Sequence, residues 1–376
     1  MTERGAIAFA EKVLTLLDEG SFTATYKYAV LLALMDVCLE QSTRTGAAPT
    51  SISTTQLAEK VLELYWPHTV GFSSASTEGS DTRVLFQNQP ARRGGRLGGQ
   101  AAIITAIRKF RDNHAPDPSA SLTRARLKTP KRFATLLRTV EWKLVEMPLP
   151  RLQTIGDRED AFIYRINWTR RVTRSEFEDP HRFDNAIRFV GEAGEHLVTL
   201  AGLLRPLIQR QWAAMVARFN ADLVQDAELE RFLFGAQRIA LGPVREPLIA
   251  LQRGKCFYCQ GSLRTNVQID HFIPWARYPN NAIENLVAAH EPCNRDKSDH
   301  FAATGHVTHW REHLSETGPD LHDVASEIAW ETNAPRTLAV ARALYLRLPS
   351  DALLWAARKK FELVEPDALR GVLLAS

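Results

Sequence analysis

Two short pairs constrain this chain more than any other feature: Cys256-Phe257-Tyr258-Cys259 and, after 30 intervening residues, His290-Glu291-Pro292-Cys293. The chain has 376 residues and only four cysteines, three of them in these pairs. Two residues between ligands form a tight knuckle that aims both side chains at one point, and two knuckles close a tetrahedral zinc site. A redox CxxC is the competing reading. That motif opens a helix after a strand in a βαβ pattern. Here the pair follows a helix and the Gly254-Lys255 turn, and a matching second pair exists. Cys256, Cys259, His290 and Cys293 are therefore expected to hold a structural zinc ion. The separation exceeds that of a simple zinc ribbon, so something sizeable is inserted between the knuckles. Cys38 lies mid-helix in an apolar stretch and reads as a core residue.

The insert contains "VQIDHFIP", in which Val267 and Ile269 alternate with polar neighbours as in a strand, and Asp270-His271 fall at its end. Asn285 comes 14 residues after His271, and Asn294 comes 9 residues later, directly after the last expected zinc ligand, followed by Lys297. Alone, Asp270-His271 would read as an ordinary strand-end pair. Held between two knuckles and followed by Asn285, Asn294 and Lys297, the set resembles the HNH endonuclease family, in the variant with asparagine at the third motif position. The spacing is similar to that in the HNH domain of RNA-guided CRISPR nucleases. The resemblance covers about residues 244–309.

The resemblance implies a ββα-metal fold: two short strands, an Ω-like loop and a helix beginning near Asn294. It also implies that Asn285 orients His271 by a hydrogen bond from the loop. Elementary chemistry supports the remaining roles. Phosphodiester hydrolysis needs an activated water and a charge to offset the leaving 3′ oxygen. A hard divalent cation, Mg2+ or Mn2+, takes oxygen ligands, which Asp270 and the Asn294 side-chain carbonyl can supply. His271, mostly neutral at physiological pH, can accept a proton from water. Lys297, one helical turn beyond Asn294, is expected to hold a phosphate, with Arg295 as a second candidate. Zinc with four protein ligands has no open position, so it staples the small domain while the second ion serves the chemistry.

The rest of the chain reads as mostly helical. Helices are expected over Ala6 to Leu17, Tyr26 to Glu40, "QLAEKVLELYW" after the N-cap candidates Ser53-Thr54-Thr55, Gln100 to Asp112, and Lys131 to Val145. "AFIYRINW" reads as a strand, Phe183 to Asn220 as a long helix or a pair kinked near Pro206, and Val324 to Phe361 as helix broken near Leu348-Pro349. Helices followed by the extended "TRVLFQNQ" fit a winged helix, a pattern that other helical hairpins share. "PARRGGRLGGQ" reads as a flexible basic loop whose Gly-Gly pairs rule out regular structure and whose Arg92, Arg93 and Arg96 could reach phosphates. It lacks the Gly-Lys-Ser/Thr of a Walker loop.

Net charge is only +4, but residues 81–138 hold 13 Lys/Arg against 3 Asp/Glu. Such a block is either a solvated helical face or a surface for a polyanion, most often nucleic acid. No apolar run is long enough to span a membrane and no secretory signal is apparent, so a cytoplasmic location is expected. The expected architecture is α+β and mostly helical: a helical recognition region over 1–243, the zinc-stapled domain over 244–310 and a helical segment over 311–376. DNA is the expected partner, with a homodimer or a defence-system protein as further candidates. A recognition module ahead of a C-terminal HNH domain is similar to bacterial restriction and phage-defence layouts. Homing-type nucleases carry repeated DNA-reading modules, and no repeat is seen. A catalytically silent, zinc-stapled DNA-binding module is the non-enzymatic alternative.

Overall fold

Tyr26–Glu40 is apolar on nearly every face, and a helix of that kind has to be surrounded. In the computed structural model Tyr28 to Leu39 are all buried. The structure describes residues 3–19, 23–72, 82–93, 96–155, 158–221, 226–235 and 240–375. The chain divides into two compact units, Met1–Cys38 with Pro49–Arg238, and Leu39–Ala48 with Ile239–Ser376. None of the described helices is long and apolar enough to cross a membrane.

The first unit contains α1 (Glu3–Glu19), α2 (Tyr26–Glu40, through Cys38), β1 (Ser51–Ser53), α3 (Thr54–Tyr65), β2 (Ala91–Arg93), β3 (Arg96–Gly98), α4 (Ala102–His114), α5 (Leu122–Lys128) and α6 (Pro130–Glu146). It continues with β4 (Thr154–Ile155), β5 (Arg158–Glu159), β6 (Tyr164–Arg165), α7 (Arg174–Glu178), β7 (Ala186–Phe189), α8 (Ala193–Thr199), α9 (Ala201–Phe219) and α10 (Asp226–Phe234). Ser53 caps α3 in a reciprocal box with Gln56, which satisfies two backbone donors that the first turn would leave open. Against α3 and α4 lies α6, whose Glu141 accepts from Thr54 Oγ1 at 2.6 Å and Thr55 Oγ1 at 2.9 Å. Cys38 is buried in α2, and Arg205 of α9 forms a buried ion pair with Asp36 of α2.

Several expectations change here. The unit's three-stranded sheet is antiparallel, in the order β1-β7-β6. "TRVLFQNQ" contributes only isolated bridges among the described residues, Phe72 with Arg83 and Ala24 with Asn88, and the winged helix is not confirmed. Its Gln87 is drawn into the core, accepting from Thr25 Oγ1 and Trp212 Nε1, each at 2.8 Å. The basic loop forms a hairpin, with Arg92 opposite Leu97 and Arg93 opposite Arg96. Gly94 and Gly95, and the side chains of Arg92, Arg93 and Arg96, lie outside the described residues. Only Tyr164–Arg165 of "AFIYRINW" is strand, and Ala186–Phe189, expected as helix, is the central strand because Ile187 is buried between its two neighbours. Pro206 sits inside α9 without ending it.

The second unit holds α11 (Gly242–Leu251), β8 (Val267–His271), β9 (Leu286–His290), α12 (Glu291–Lys297), α13 (Thr304–Glu327), α14 (Ala334–Tyr345), β10 (Leu353–Ala357), β11 (Lys360–Leu363) and α15 (Pro366–Leu374). β8 and β9 pair antiparallel, with Asp270 opposite Val287 and His271 opposite Leu286. Leu353 to Phe361, expected as helix, is instead most of a hairpin. Leu354 and Trp355 are buried, and Lys359 takes φ of +59° to turn the chain. Residues 39–48 join this unit through bonds such as Tyr278 Oη to Glu40 and Arg44 Nη2 to the Leu374 carbonyl at 3.3 Å.

Candidate functional site

Both knuckles converge. The ligand atoms of Cys256, Cys259, His290 and Cys293 all lie within 4.8 Å of one another. The first knuckle is tied back by Cys256 N–H to the Gly261 carbonyl at 2.8 Å, and Phe257 N–H reaches Ala288 of β9 at 3.0 Å. The second is the junction of β9 and α12, with Pro292 in the first helical turn, where its missing N–H costs nothing. His290 Nε2 donates to the Ser262 carbonyl at 3.1 Å, leaving Nδ1, 3.2 Å from Cys259 Sγ, as the free lone pair. This is the outer bond that fixes a metal-binding imidazole. Burial first, then the charges of Cys256 and Cys259, push the Cys293 thiol up to about 12. Three cysteine sulfurs and one imidazole nitrogen this close are the donor set of a structural zinc site, and a bound cation would offset the repulsion that raises the Cys293 thiol.

Asp270 and His271 end β8 and are both 8% exposed. Asp270 Oδ2 accepts from Tyr258 Oη at 2.5 Å and from Lys297 Nζ at 2.9 Å. Burial first, and then the charge of Asp270, hold the Tyr258 phenol far above its ordinary pKa, so it remains a donor. Lys297 is fully buried and also donates to the His271 carbonyl at 2.9 Å. It was expected to face a phosphate. Its ammonium instead ties the last turn of α12 to the end of β8. Asn294, one turn earlier in α12, lies on the same helix face as Lys297. Its side chain is partly exposed and has no hydrogen-bond partner among the described residues. The helix begins at Glu291 rather than near Asn294. Arg295 is 70% exposed and pairs with Glu291 at 2.9 Å.

The two loop asparagines divide the work differently from the sequence expectation. Asn285 is fully buried. Its Oδ1 accepts from Ile273 N–H at 2.8 Å, and its Nδ2 donates to the Asn280 carbonyl at 3.0 Å and the Ile273 carbonyl at 3.3 Å. It pins the loop backbone and does not bond His271. The ring's partner is Asn281, whose Oδ1 lies 2.9 Å from His271 Nε2. Burial lowers the His271 pKa below its ordinary value, more than the Asn281 bond and the Asp270 charge raise it.

Asn281 is itself held from the C-terminal part of the chain. Trp330 Nε1 donates to the Asn281 carbonyl at 2.7 Å, and Asn280 Nδ2 donates to Thr337 Oγ1 at 3.1 Å. Glu284 accepts from Thr332 Oγ1 at 2.6 Å and Asn333 N–H at 3.1 Å. Sequence reasoning missed Asn281 and Tyr258. The Asn280-Asn281 doublet before the 3-10 turn at Ile283–Asn285 and the aromatic inside the first knuckle were the available signals.

Two family models match the chain. A domain of unknown function (DUF8808) matches residues 5–233, more than half of the chain, and an HNH endonuclease model matches residues 256–303. No curated protein and no solved structure matches it.

Proposed function

Because the chain belongs to the family of that domain of unknown function, and its residues 256–303 are an HNH endonuclease domain, we propose that it hydrolyses DNA phosphodiester bonds at the end of β8, with His271 as general base. The observation that carries this reading is the bond between His271 Nε2 and Asn281 Oδ1. An amide oxygen only accepts, so Nε2 carries the proton and Nδ1 keeps the lone pair. Nδ1 has no partner among the described residues and is not sealed from solvent. A water placed between Nδ1 and the scissile phosphorus gives its proton to Nδ1. Its oxygen then bonds to phosphorus as the bond to the 3′ oxygen breaks. Because burial lowers the His271 pKa, the ring is neutral and able to accept that proton at physiological pH.

The Asp270 carboxylate, whose Oδ1 makes no hydrogen bond among the described residues, and the free Asn294 amide oxygen are hard donors suited to a magnesium or manganese ion. That ion, when bound, supplies positive charge against the leaving 3′ oxygen. Lys297 and Tyr258 hold the Asp270 carboxylate in place, and Asn285 holds the loop that presents Asn281. Arg295, on the exposed face of α12, is the candidate for a neighbouring phosphate. The zinc cluster braces the strand–helix junction and takes no part in the proton transfer. A large family domain ahead of a C-terminal HNH domain supports a role in restriction or phage defence, with the first unit selecting the target.

The test is a supercoiled-plasmid assay with wild type and His271→Ala, in magnesium or manganese and in chelator. Metal-dependent nicking or linearisation by wild type is expected, with a loss of about 10²–10⁴-fold in the variant and unchanged DNA binding. Equal cleavage by His271→Ala sinks the mechanism. Binding without cleavage by either protein, on plain, phage and modified DNA, favours the silent DNA-binding module.

A further inference from the structure

A second concentration of charge lies within the first unit and shares no residue with the nuclease site. A cavity of about 270 Å3 is walled by Lys27, Arg151 and Arg170, with the hydroxyls of Thr23 and Thr154 and the apolar Met147 among its other walls. None of the described residues lining it is acidic. The three cations come from separate stretches: the first turn of α2, the 3-10 turn after α6 and the segment after β6. Like charges gathered on one concavity repel.

The guanidinium groups are also aimed. Arg170 Nε donates to the Pro150 carbonyl at 3.3 Å and its Nη2 to Thr154 Oγ1 at 3.1 Å. Arg151 Nη1 donates to the Glu146 and Met147 carbonyls, each at 3.2 Å. All of these acceptors are neutral, so the bonds fix direction without cancelling charge. Among the described residues neither arginine meets a carboxylate. The cost is visible at Lys27, whose amine is brought down to about 8 by burial first and then by the charge of Arg170. An anion entering the cavity would offset the repulsion between Lys27 and Arg170.

We propose that this cavity binds the phosphate monoester of a small phosphorylated molecule. Two fixed forks and an ammonium match the charge and the several acceptor oxygens of such a dianion. The cavity exceeds what one phosphate fills, and Tyr26, Met147 and Pro148 give it an apolar wall for the attached organic group. A monoester can come from a free nucleotide or from the 5′ end of a DNA strand, and the chemistry of recognition is the same.

The test is calorimetric titration of the full chain, without added magnesium, with adenosine monophosphate and with matched oligonucleotides bearing a 5′ phosphate or a 5′ hydroxyl. Saturable binding is expected for the monophosphate or for the 5′-phosphorylated strand, and whichever binds more tightly names the source. Arg170→Gln and Lys27→Met should each weaken it at least tenfold. Arg170 is exposed, so Arg170→Gln decides the matter if Lys27→Met does not fold. No saturable binding by wild type overturns the proposal, as does unchanged affinity in the variants. Equal binding of the two oligonucleotides with none of the monophosphate overturns it too, because backbone contact would explain that result.

Discussion

Lys297 Nζ stands 2.9 Å from Asp270 Oδ2, with the lysine wholly buried and the aspartate side chain 10% exposed. The pair joins the last turn of α12 to the last residues of β8 and so sets the distance between the two chain segments on which the proposed cation depends. Removing one partner of a buried pair leaves the other charge uncompensated. Lys297→Met should therefore destabilise the protein by about 3–5 kcal/mol. Urea denaturation of the zinc-loaded protein measures this. A loss within about 0.5 kcal/mol, the range of ordinary surface changes, would show that Lys297 is not the brace described here.

Asn281 and Asn285 should separate in a paired experiment. Asn281→Ala removes the group that sets the His271 tautomer, so cleavage by the folded variant should fall at least tenfold, with a smaller loss of stability than Asn285→Ala causes. Asn285→Ala strands the Ile273 and Asn280 backbone groups in a buried loop, where each unsatisfied group costs about 1–3 kcal/mol. Its primary effect should be on stability. If Asn281→Ala cleaves as fast as wild type, the tautomer argument fails.

Zinc removal should unfold the second unit. Cys259→Ser leaves three ligands for an ion that takes four in structural sites. Zinc content measured on the purified variant should fall towards zero, and near-ultraviolet dichroism should lose the signal of the packed aromatics around Phe257, Phe272 and Trp310. Full zinc occupancy in Cys259→Ser would refute the ligand assignment.

Stability should decline on mild acidification through His306 and His313. Burial is the main cause that lowers both pKa values, with His309 and, for His306, Lys297 adding repulsion, and with Glu362 and Glu316 opposing. His306 lies against Trp355 and Tyr258 and bonds the Ala356 carbonyl at 2.8 Å. The unfolded chain takes up these protons near pH ~6.5, before the folded chain does. These histidines therefore cost no stability well above that pH. They cost progressively more as it falls, until the folded state is protonated as well. The denaturation midpoint between pH 7.5 and 5 should drop less steeply for His306→Gln than for wild type. Identical slopes would remove His306 from the account.

The zinc cluster was legible because its information is local: two residues between ligands fix a knuckle whatever surrounds it. The β8–β9 pair and α12 followed from the same segment. The roles of Asn285 and Lys297 were not legible, because spacing places a residue on a loop or a helix face and burial decides what it meets there. Asn281 competes with Asn285 within one short asparagine-rich loop, and only the folded path of the chain selects the partner of His271. In the first unit the hydrophobic pattern marked α2 and α3, and Ser53 marked a helix start. The strands β1, β6 and β7 are only two to four residues each, and β1 pairs with β7 across more than a hundred positions of sequence, a relationship that no local pattern carries.

Trp330, Thr332, Asn333 and Thr337 grip the loop that carries Asn281 from well beyond the last residue matched by the endonuclease model. On the ribosome, a nascent chain that has just emerged through residue 303 contains every motif residue and still lacks the clamp on the partner of its histidine. The loop that carries Asn281 gains these bonds only once residues 330–337 are in place. A product ending before Trp330 would thus carry the family signature without the hydrogen bonds that hold the loop of Asn281.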